Sequence, residues 1–188
     1  AYKTYGPHQG LMVIRRELGM KLPNQGHYFN ADSLYKRFTP AGPDHAQVAA
    51  CAGMADYVDE VYQHHFTDKV APAERCQMVH DLFRDYEVSL TQPILDYLTT
   101  KNSAELIGPT SAEGRAPTIA VKLQIPGEEA AKKMASFGVM AGGGDFYAVR
   151  PLKALSIEPE HGVLRLSFVH YTAPKDIDRL LSALDQVI

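Results

Sequence analysis

Apolar residues recur along this chain at two spacings, which predict helices and strands respectively. A spacing of three and four residues predicts an amphipathic helix from His45 to about Phe66, a second from Pro72, and two more over 126–137 and 174–187. Short apolar or alternating runs are typical of strands, and they occur at 11–14, 105–108, 118–123, 139–141 and 162–169. Pro93 either kinks the second helix or begins a new one.

The stretch 23–43 interrupts this regular pattern. Its three prolines and four aromatic residues, Tyr28, Phe29, Tyr35 and Phe38, predict a loop held by aromatic anchors. Elsewhere strands alternate with helices and no long repeat occurs, which predicts an α/β to α+β fold with helices on one face of a sheet.

The same pattern divides the chain into two parts. We expect residues 1–71 to belong to one domain and 72–188 to form a smaller α+β domain, with the interruption at Pro93 marking the entry to it.

Composition narrows the class of protein. A chain of 188 residues that is 45% apolar can bury a core, and its formal net charge of −3 offers no basic footprint for nucleic acid. No apolar run approaches the roughly 20 residues needed to cross a bilayer, and no secretory leader is recognisable. Cys51 and Cys76 are far apart and form no CxxC, which is typical of reduced thiols in a cytosolic protein. The chain starts Ala-Tyr-Lys without methionine, so we expect it to be a piece of a longer one.

The first ten residues hold the main candidate for chemistry. Lys3 precedes a Tyr-Gly-Pro turn, in which Gly6 accepts positive φ and Pro7 fixes its own φ. We expect this turn to hold the amine beside a buried strand at 11–14, where loss of solvation favours the neutral, nucleophilic form that makes a Schiff base. The alternative is a solvated lysine near a chain end.

Lys3-Thr4-Tyr5-Gly6-Pro7-x-x-Gly10 resembles the cofactor-lysine segment of the class V aminotransferase family, pyridoxal-phosphate enzymes that include cysteine desulfurases and selenocysteine lyases. The resemblance covers only the C-terminal half of the family. It implies a fold type I transferase, with 1–71 as a remnant of the large cofactor-binding domain. It also implies that Lys3 carries pyridoxal 5'-phosphate and that Tyr2, at a position where desulfurases often have histidine, contacts the cofactor.

A second segment resembles the family's Arg-Phe-Glu and Gly-Thr-x-Asn pattern. Here it reads Arg37-Phe38-Thr39 and then Gly42-Pro43-Asp44-His45. The family's threonine reaches the cofactor phosphate of the neighbouring subunit, and Pro43 at that position lacks the hydroxyl. The resemblance leaves His45 as a cofactor contact. The alternative is simply a helix start capped by Asp44.

Residues 138–148 resemble the desulfurase segment Gly-Ile-x-x-Arg-x-Gly-x-x-Cys-Ala, with Tyr147 at the cysteine position. A phenol with a pKa of about 10 cannot replace the thiolate that attacks substrate sulfur, so we do not expect desulfurase activity. The three glycines 142–144 by themselves indicate a flexible turn. The resemblance implies instead a mobile loop over the substrate. In the second interpretation Asp145 and Tyr147 contact the substrate.

The closing segment 164–181 resembles the family's last strand, turn and helix, in which an Arg-x-Ser sequence leads to Tyr-Asn-Thr and Asp-Arg-Leu. By this resemblance Arg165 binds the substrate carboxylate, a task that suits a planar guanidinium with two parallel donors. The alternative is an arginine on the exposed side of a strand. We expect His170 and Tyr171 to shape the turn.

The resemblance implies a cytoplasmic, homodimeric enzyme that acts on a small amino acid by transamination, elimination or epimerisation. A rival hypothesis is a non-catalytic dimerisation or binding module, whose apolar faces at 11–14 and 48–62 favour self-association. A hydrolase is disfavoured because no Gly-x-Ser-x-Gly motif occurs. We predict no metal site, since the adjacent His64 and His65 point to different faces of a helix.

Overall fold

A computed structural model describes residues 1–39 and 41–188; Pro40, part of the predicted loop 23–43, lies outside the described residues. The chain forms two compact units, Ala1–Val79 and His80–Ile188, and each is described by itself. The sequence pattern predicts a division eight residues earlier, between 71 and 72.

The second unit is built on a four-stranded antiparallel sheet with the strand order β1-β2-β4-β3. The strands are β1 (Ala104–Ile107), β2 (Thr118–Leu123), β3 (Gly142–Gly144) and β4 (Val163–Ser167). The helices of this unit are the C-terminal part of α4 (Pro72–Thr99), then α5 (Gly127–Ser136), α6 (Val149–Ala154) and α7 (Pro174–Val187). The sequence patterns predict β1, β2, β4, α5 and α7 to within one or two residues and do not predict α6.

One face of the sheet forms the main core. Ile119 and Val121 of β2 lie opposite Leu166 and Leu164 of β4, and directly opposed residues of antiparallel strands share a face. Helices α4, α5 and α7 bury their apolar stripes on these side chains. Completely buried side chains such as Ile94 each contribute about 1.5–3 kcal/mol through removal from water. These three helices on one face of the sheet agree with the predicted architecture, whereas the short helix α6 does not, because it packs on the other face.

The opposite face is covered only in part. Leu152 of α6 and Ile157 pack there against Val163, and Phe146 and Ala120 border this smaller cluster. Val163 is buried by this cluster, whereas the other residues of β2 and β4 that point to this side, such as Ala120 and Arg165, are half-buried or exposed. An open stretch of sheet surface therefore remains beside the small cluster.

Helix α4 continues through Pro93, so the predicted alternative of a new helix at this residue is wrong. Pro93 is exposed, and the preceding and following turns bury Leu90, Ile94 and Leu95 in the core. Packing of this apolar stripe stabilises the helix against the loss of one backbone hydrogen bond.

The first unit departs further from the sequence pattern. The predicted strand 11–14 is absent: these residues have no regular structure, and Leu11, Met12 and Val13 are exposed. A strand needs a neighbour that satisfies its N–H and C=O groups, and no strand pairs with 11–14 in the described part of the chain. The short helix α1 (Arg16–Lys21) follows, which the pattern does not predict.

The loop 23–43 contains a 3-10 helix at Tyr28–Asn30, but its aromatic residues are poor anchors. Tyr28, Phe29 and Tyr35 are exposed, and Phe38 is half-buried. The loop is organised instead by the buried Arg37, whose guanidinium donates to the carbonyl of Leu22 over 2.6 Å. The carbonyl of Arg37 in turn accepts the N–H groups of Gln25 and Gly26.

The helix predicted over 45–66 forms as two pieces, α2 (His45–Ala50) and α3 (Ala52–His65). Its apolar stripe does not form the predicted core, because Tyr62 is its sole buried member within the described residues. Within that part of the chain, no helix combines the length and apolar character that crossing a bilayer requires.

Candidate functional site

Lys3 lies in a 3-10 helix, Tyr2–Thr4, at the start of the first unit. The carbonyl of Ala1 accepts the N–H groups of Thr4 and Gly6, so the predicted turn forms. The left-handed residue of this turn is Tyr5, with φ of 61°, and not Gly6 as predicted. A Cβ at Gly6 would overlap the flexible side chain of Met54 in α3.

The environment of Lys3 differs from the buried one expected. Its side chain is exposed, with the Nζ atom 5.8 Å from the centroid of the Tyr2 ring. Tyr2 itself stacks on His8 with 4.8 Å between ring centroids. The apolar run 11–14 forms no strand and is itself exposed, so it does not bury the amine, and the expectation of a desolvated lysine is wrong for the described residues.

His45 is the first residue of α2, and the helix start is capped by its neighbour. The Asp44 carboxylate accepts the N–H groups of Ala46 and Gln47 over 3.0 and 3.1 Å, as the helix-cap interpretation predicts. The hydrogen bond from the Gln47 backbone is the main cause that lowers the pKa of Asp44 below its ordinary value of 3.8. This carboxylate occupies the backbone donors that would otherwise attract an anion.

A cavity of about 450 Å³ lies beside His45 in the first unit. His27, Lys36 and His45 line it together with hydroxyl and amide side chains, and none of its lining residues, as far as the chain is described, is acidic. Neither Lys3 nor Tyr2 is among these lining residues. The donors of this cavity suit an anionic group.

Arg165 lies in the middle of β4, opposite Ala120 of β2 on one side and Gly142 of β3 on the other. This register directs it to the open face of the sheet, away from the main core. The carbon Cζ of its guanidinium lies 4.0 Å from the centroid of the Phe146 ring. Over the described ranges, no hydrogen bond or ion pair engages this guanidinium, so its donors remain available to a ligand.

The three glycines form strand β3, which corrects both the strand predicted at 139–141 and the mobile loop predicted over the substrate. Close packing requires Gly143, whereas Gly144 has a φ of 131° that favours glycine. A Cβ at Gly143 would overlap the backbone of Gly127 at the start of α5, and one at Gly162 would lie 2.5–2.7 Å from the backbone of Gly144. The glycines therefore permit close backbone packing here rather than flexibility.

Asp145 and Tyr147 lie in the tight turn that follows β3. The Asp145 carboxylate accepts the N–H of Tyr147 over 3.1 Å, and its carbonyl accepts that of Ala148. Phe146 and Tyr147 both have left-handed backbones, with φ of 52° and 60°. The Tyr147 side chain is fully exposed, at 102% of its reference area. The turn brings Phe146 against Arg165 in the second unit, with Asp145 and Tyr147 as its neighbours in sequence.

The turn after β4 is held by α4. The ring of His170 stacks on Phe83 at 3.6 Å between centroids, and the Tyr86 hydroxyl donates to the carbonyl of Thr172 over 2.9 Å. Burial lowers the pKa of His170 and raises that of Glu87, which also accepts the backbone N–H of His170. These contacts agree with a structural role for His170. No cluster of three or more metal-ligating side chains occurs in residues 1–39 and 41–188.

Sequence reasoning missed two residues beside Arg165. Phe146 and Gly142 contact or face the guanidinium only because β3 pairs with β4 in one particular register. A glycine run followed closely by an aromatic residue is visible in the sequence, but the strand register that pairs Gly142 with Arg165 is not.

Comparisons with known proteins show a likeness in fold. The chain is 25% identical over 194 residues to "Aminotransferase-like protein FGM3" of Gibberella zeae, with 100% of this chain and 44% of that protein covered. The chain thus spans less than half the length of the curated relative it matches. No family model matches the chain.

Two solved cysteine desulfurases share its fold. CsdA of Escherichia coli matches with a TM-score of 0.58 and 18% identity over 79% of this chain and 32% of its own. The enzyme of Thermococcus onnurineus NA1 matches with a TM-score of 0.62 and 15% identity over 81% of this chain and 33% of its own. The predicted mixed α/β fold class is confirmed by these two likenesses.

Proposed function

We propose that this chain is part of a pyridoxal-phosphate-dependent enzyme of the class V aminotransferase kind, corresponding to the family's C-terminal half. The enzyme acts on a small amino acid by transamination, elimination or epimerisation, without desulfurase activity, as a cytoplasmic homodimer. The observation that carries the proposal is the guanidinium of Arg165, which has no hydrogen-bond or ion-pair partner among the described residues and lies over the open sheet face. The likeness to an aminotransferase-like protein and to two cysteine desulfurases supports it.

Different residues of the chain fit the aldehyde and the phosphate of pyridoxal phosphate. The exposed amine of Lys3 is accessible to an aldehyde carbon, with the Tyr2 ring beside it. The cavity at His45 offers Lys36 and His27 to a phosphate, whereas the N-terminus of α2 does not, because the Asp44 carboxylate already occupies its donors. We therefore infer that Lys36, His27 and His45 would hold a phosphate, which by the resemblance belongs to the cofactor of the neighbouring subunit.

Pyridoxal phosphate, when bound, supplies an electron sink for charge that develops at the α-carbon of the substrate. Lys3 is the amine that would hold it covalently and then move the α-proton as general base. Arg165 orients the substrate by two parallel N–H donors to its carboxylate. Asp145 and Tyr147, in the turn beside Arg165, contact the remainder of the substrate. At the position of the desulfurase cysteine Tyr147 supplies no thiolate, which excludes a persulfide step.

Trapping with borohydride tests the role of Lys3. The purified chain is mixed with pyridoxal phosphate, its visible spectrum is recorded, and the adduct is reduced and mapped by peptide analysis. We expect saturable labelling at Lys3, its loss in Lys3→Ala, and no change in Lys69→Ala, a matched control at another exposed lysine of the first unit. An unchanged adduct in Lys3→Ala would contradict the assignment.

The second candidate is a dimerisation or binding module without catalysis. The exposed side chains of Leu11, Met12 and Val13 favour it, since three consecutive apolar residues seldom remain in water. Diffuse labelling of many lysines in the trapping experiment, together with a concentration-dependent dimer in gel filtration, would support this candidate. A monomer at all concentrations would count against it.

A further inference from the structure

The Cζ atom of the Arg165 guanidinium lies over the ring of Phe146, 4.0 Å from the ring centroid. An aromatic ring attracts a cation through its π face, and no hydrogen bond or ion pair engages this guanidinium among the described residues. The contact therefore restrains the long, exposed side chain while its N–H donors stay available to a ligand.

The position of the ring is determined by the backbone around it. Gly142 lies opposite Arg165 in the β3–β4 pair, and a Cβ there would come within 3.0 Å of the Phe146 ring and 3.8 Å of the Nη2 atom of Arg165. The Phe146 ring therefore occupies space that a side chain at position 142 would otherwise restrict. On its other side the ring borders the small cluster formed by Leu152, Ile157 and Val163.

The turn that presents Phe146 is itself well defined. Phe146 has a φ of 52°, a conformation that costs a non-glycine residue free energy and persists only where surrounding contacts hold it. The Asp145 carboxylate supplies one such contact through its hydrogen bond to the Tyr147 N–H. The strained backbone aims the ring at the guanidinium rather than at solvent.

We propose that Phe146 is a positioning residue that holds the guanidinium of Arg165 in one orientation over the open sheet face, so that a carboxylate meets a preformed pair of donors. This inference rests on the proposed function, in which Arg165 binds the substrate carboxylate. In this inference, the lack of a side chain at Gly142 leaves space for the Phe146 ring.

Titration with acetate, the simplest carboxylate probe, tests the proposal on the purified chain. The Nε–Hε resonance of Arg165 is followed by NMR at constant ionic strength. Phe146→Leu keeps apolar volume but removes the ring; we expect loss of the ring-current shift and a two- to fivefold weaker affinity, about the range of an exposed cation–π contact. Phe146→Tyr keeps the ring and should restore both values.

Two further variants complete the design. Phe137→Ala removes an exposed phenylalanine that has no ring contact with Arg165 in the described chain, and it should leave shift and affinity unchanged. Gly142→Ala displaces the ring without altering Phe146, and it should weaken acetate binding as Phe146→Leu does. It supplies the same test if Phe146→Leu fails to fold.

The outcomes separate the inference from the proposed function. If the wild-type resonance does not respond to acetate, the carboxylate role of Arg165 is overturned and this inference with it. If the wild type responds and both Phe146→Leu and Gly142→Ala bind acetate equally well, the positioning role alone is overturned.

Discussion

Gly143 gives the sharpest test of how the second unit is packed. In Gly143→Ala the new Cβ would overlap the carbonyl group of Gly127 and lie 2.6 Å from the backbone nitrogen of Glu128. All three atoms belong to backbone, so no side chain can rotate away. Strand β3 must then move away from the first turn of α5.

The magnitude follows from the kind of contact. The φ of Gly143 lies outside the left-handed region, so alanine adds no conformational strain and the cost is purely steric. Overpacking of a rigid interior costs about 1–3 kcal/mol, and a clash between backbone atoms belongs at the upper end. We expect a loss of about 3 kcal/mol in the free energy of unfolding, or roughly 10 °C or more in Tm for a unit of this size.

Urea unfolding measures this loss, with the methyl NMR resonances of Ile119 reporting the second unit alone. The control is Gly138→Ala in the same unit, where a Cβ would meet open space but φ is +75°. In that variant the free energy of unfolding should fall only by the cost of a left-handed backbone at alanine, about 1–2 kcal/mol. A Gly143→Ala loss below 0.5 kcal/mol (about the scatter of surface substitutions), or smaller than that of Gly138→Ala, would refute the packing argument.

Three further changes test other parts of the chain. Ile94→Ala should destabilise the second unit by about 2–5 kcal/mol in the same urea titration, and a loss under about 1 kcal/mol would mean that α4 packs differently. Hydrogen bonds from Tyr97 and Lys101 lower the pKa of Asp185 below its ordinary value of 3.8. The stability that these bonds contribute is therefore fully present above pH 3.8, and it is lost as the pH falls through the lowered pKa. Asp185→Asn should therefore flatten the acid arm of the stability profile; an unchanged arm would contradict this. Asp44→Ala should reduce the helical circular dichroism of α2 while Asp44→Asn, which keeps the cap, should not, and equal spectra for both would refute the capping role.

Elements with a complete local signature were predictable. Strand β2 formed where its alternating apolar residues predict it. The final helix also formed as predicted, with Pro174 at its first position and the Asp176 carboxylate accepting the N–H of Ala173. The strand at 11–14 and a new helix at Pro93 were predicted wrongly, because the outcome at each place depended on whether another element packed against it. The exposure of Lys3 follows from the first of these failures.

The sequence by itself determined the fold class and the strands and helices whose apolar periodicity is strong. The resemblance singled out Arg165 as a carboxylate ligand, which stays a prediction. Tertiary structure alone decided that glycines 142–144 form a strand, that Phe146 lies on the guanidinium, and that Arg37 rather than an aromatic residue organises the loop. Periodicity and turn chemistry act over a few neighbouring residues and can be read from them. Register, close backbone approach and the burial of a polar side chain depend on residues distant in sequence, and only folding brings those together.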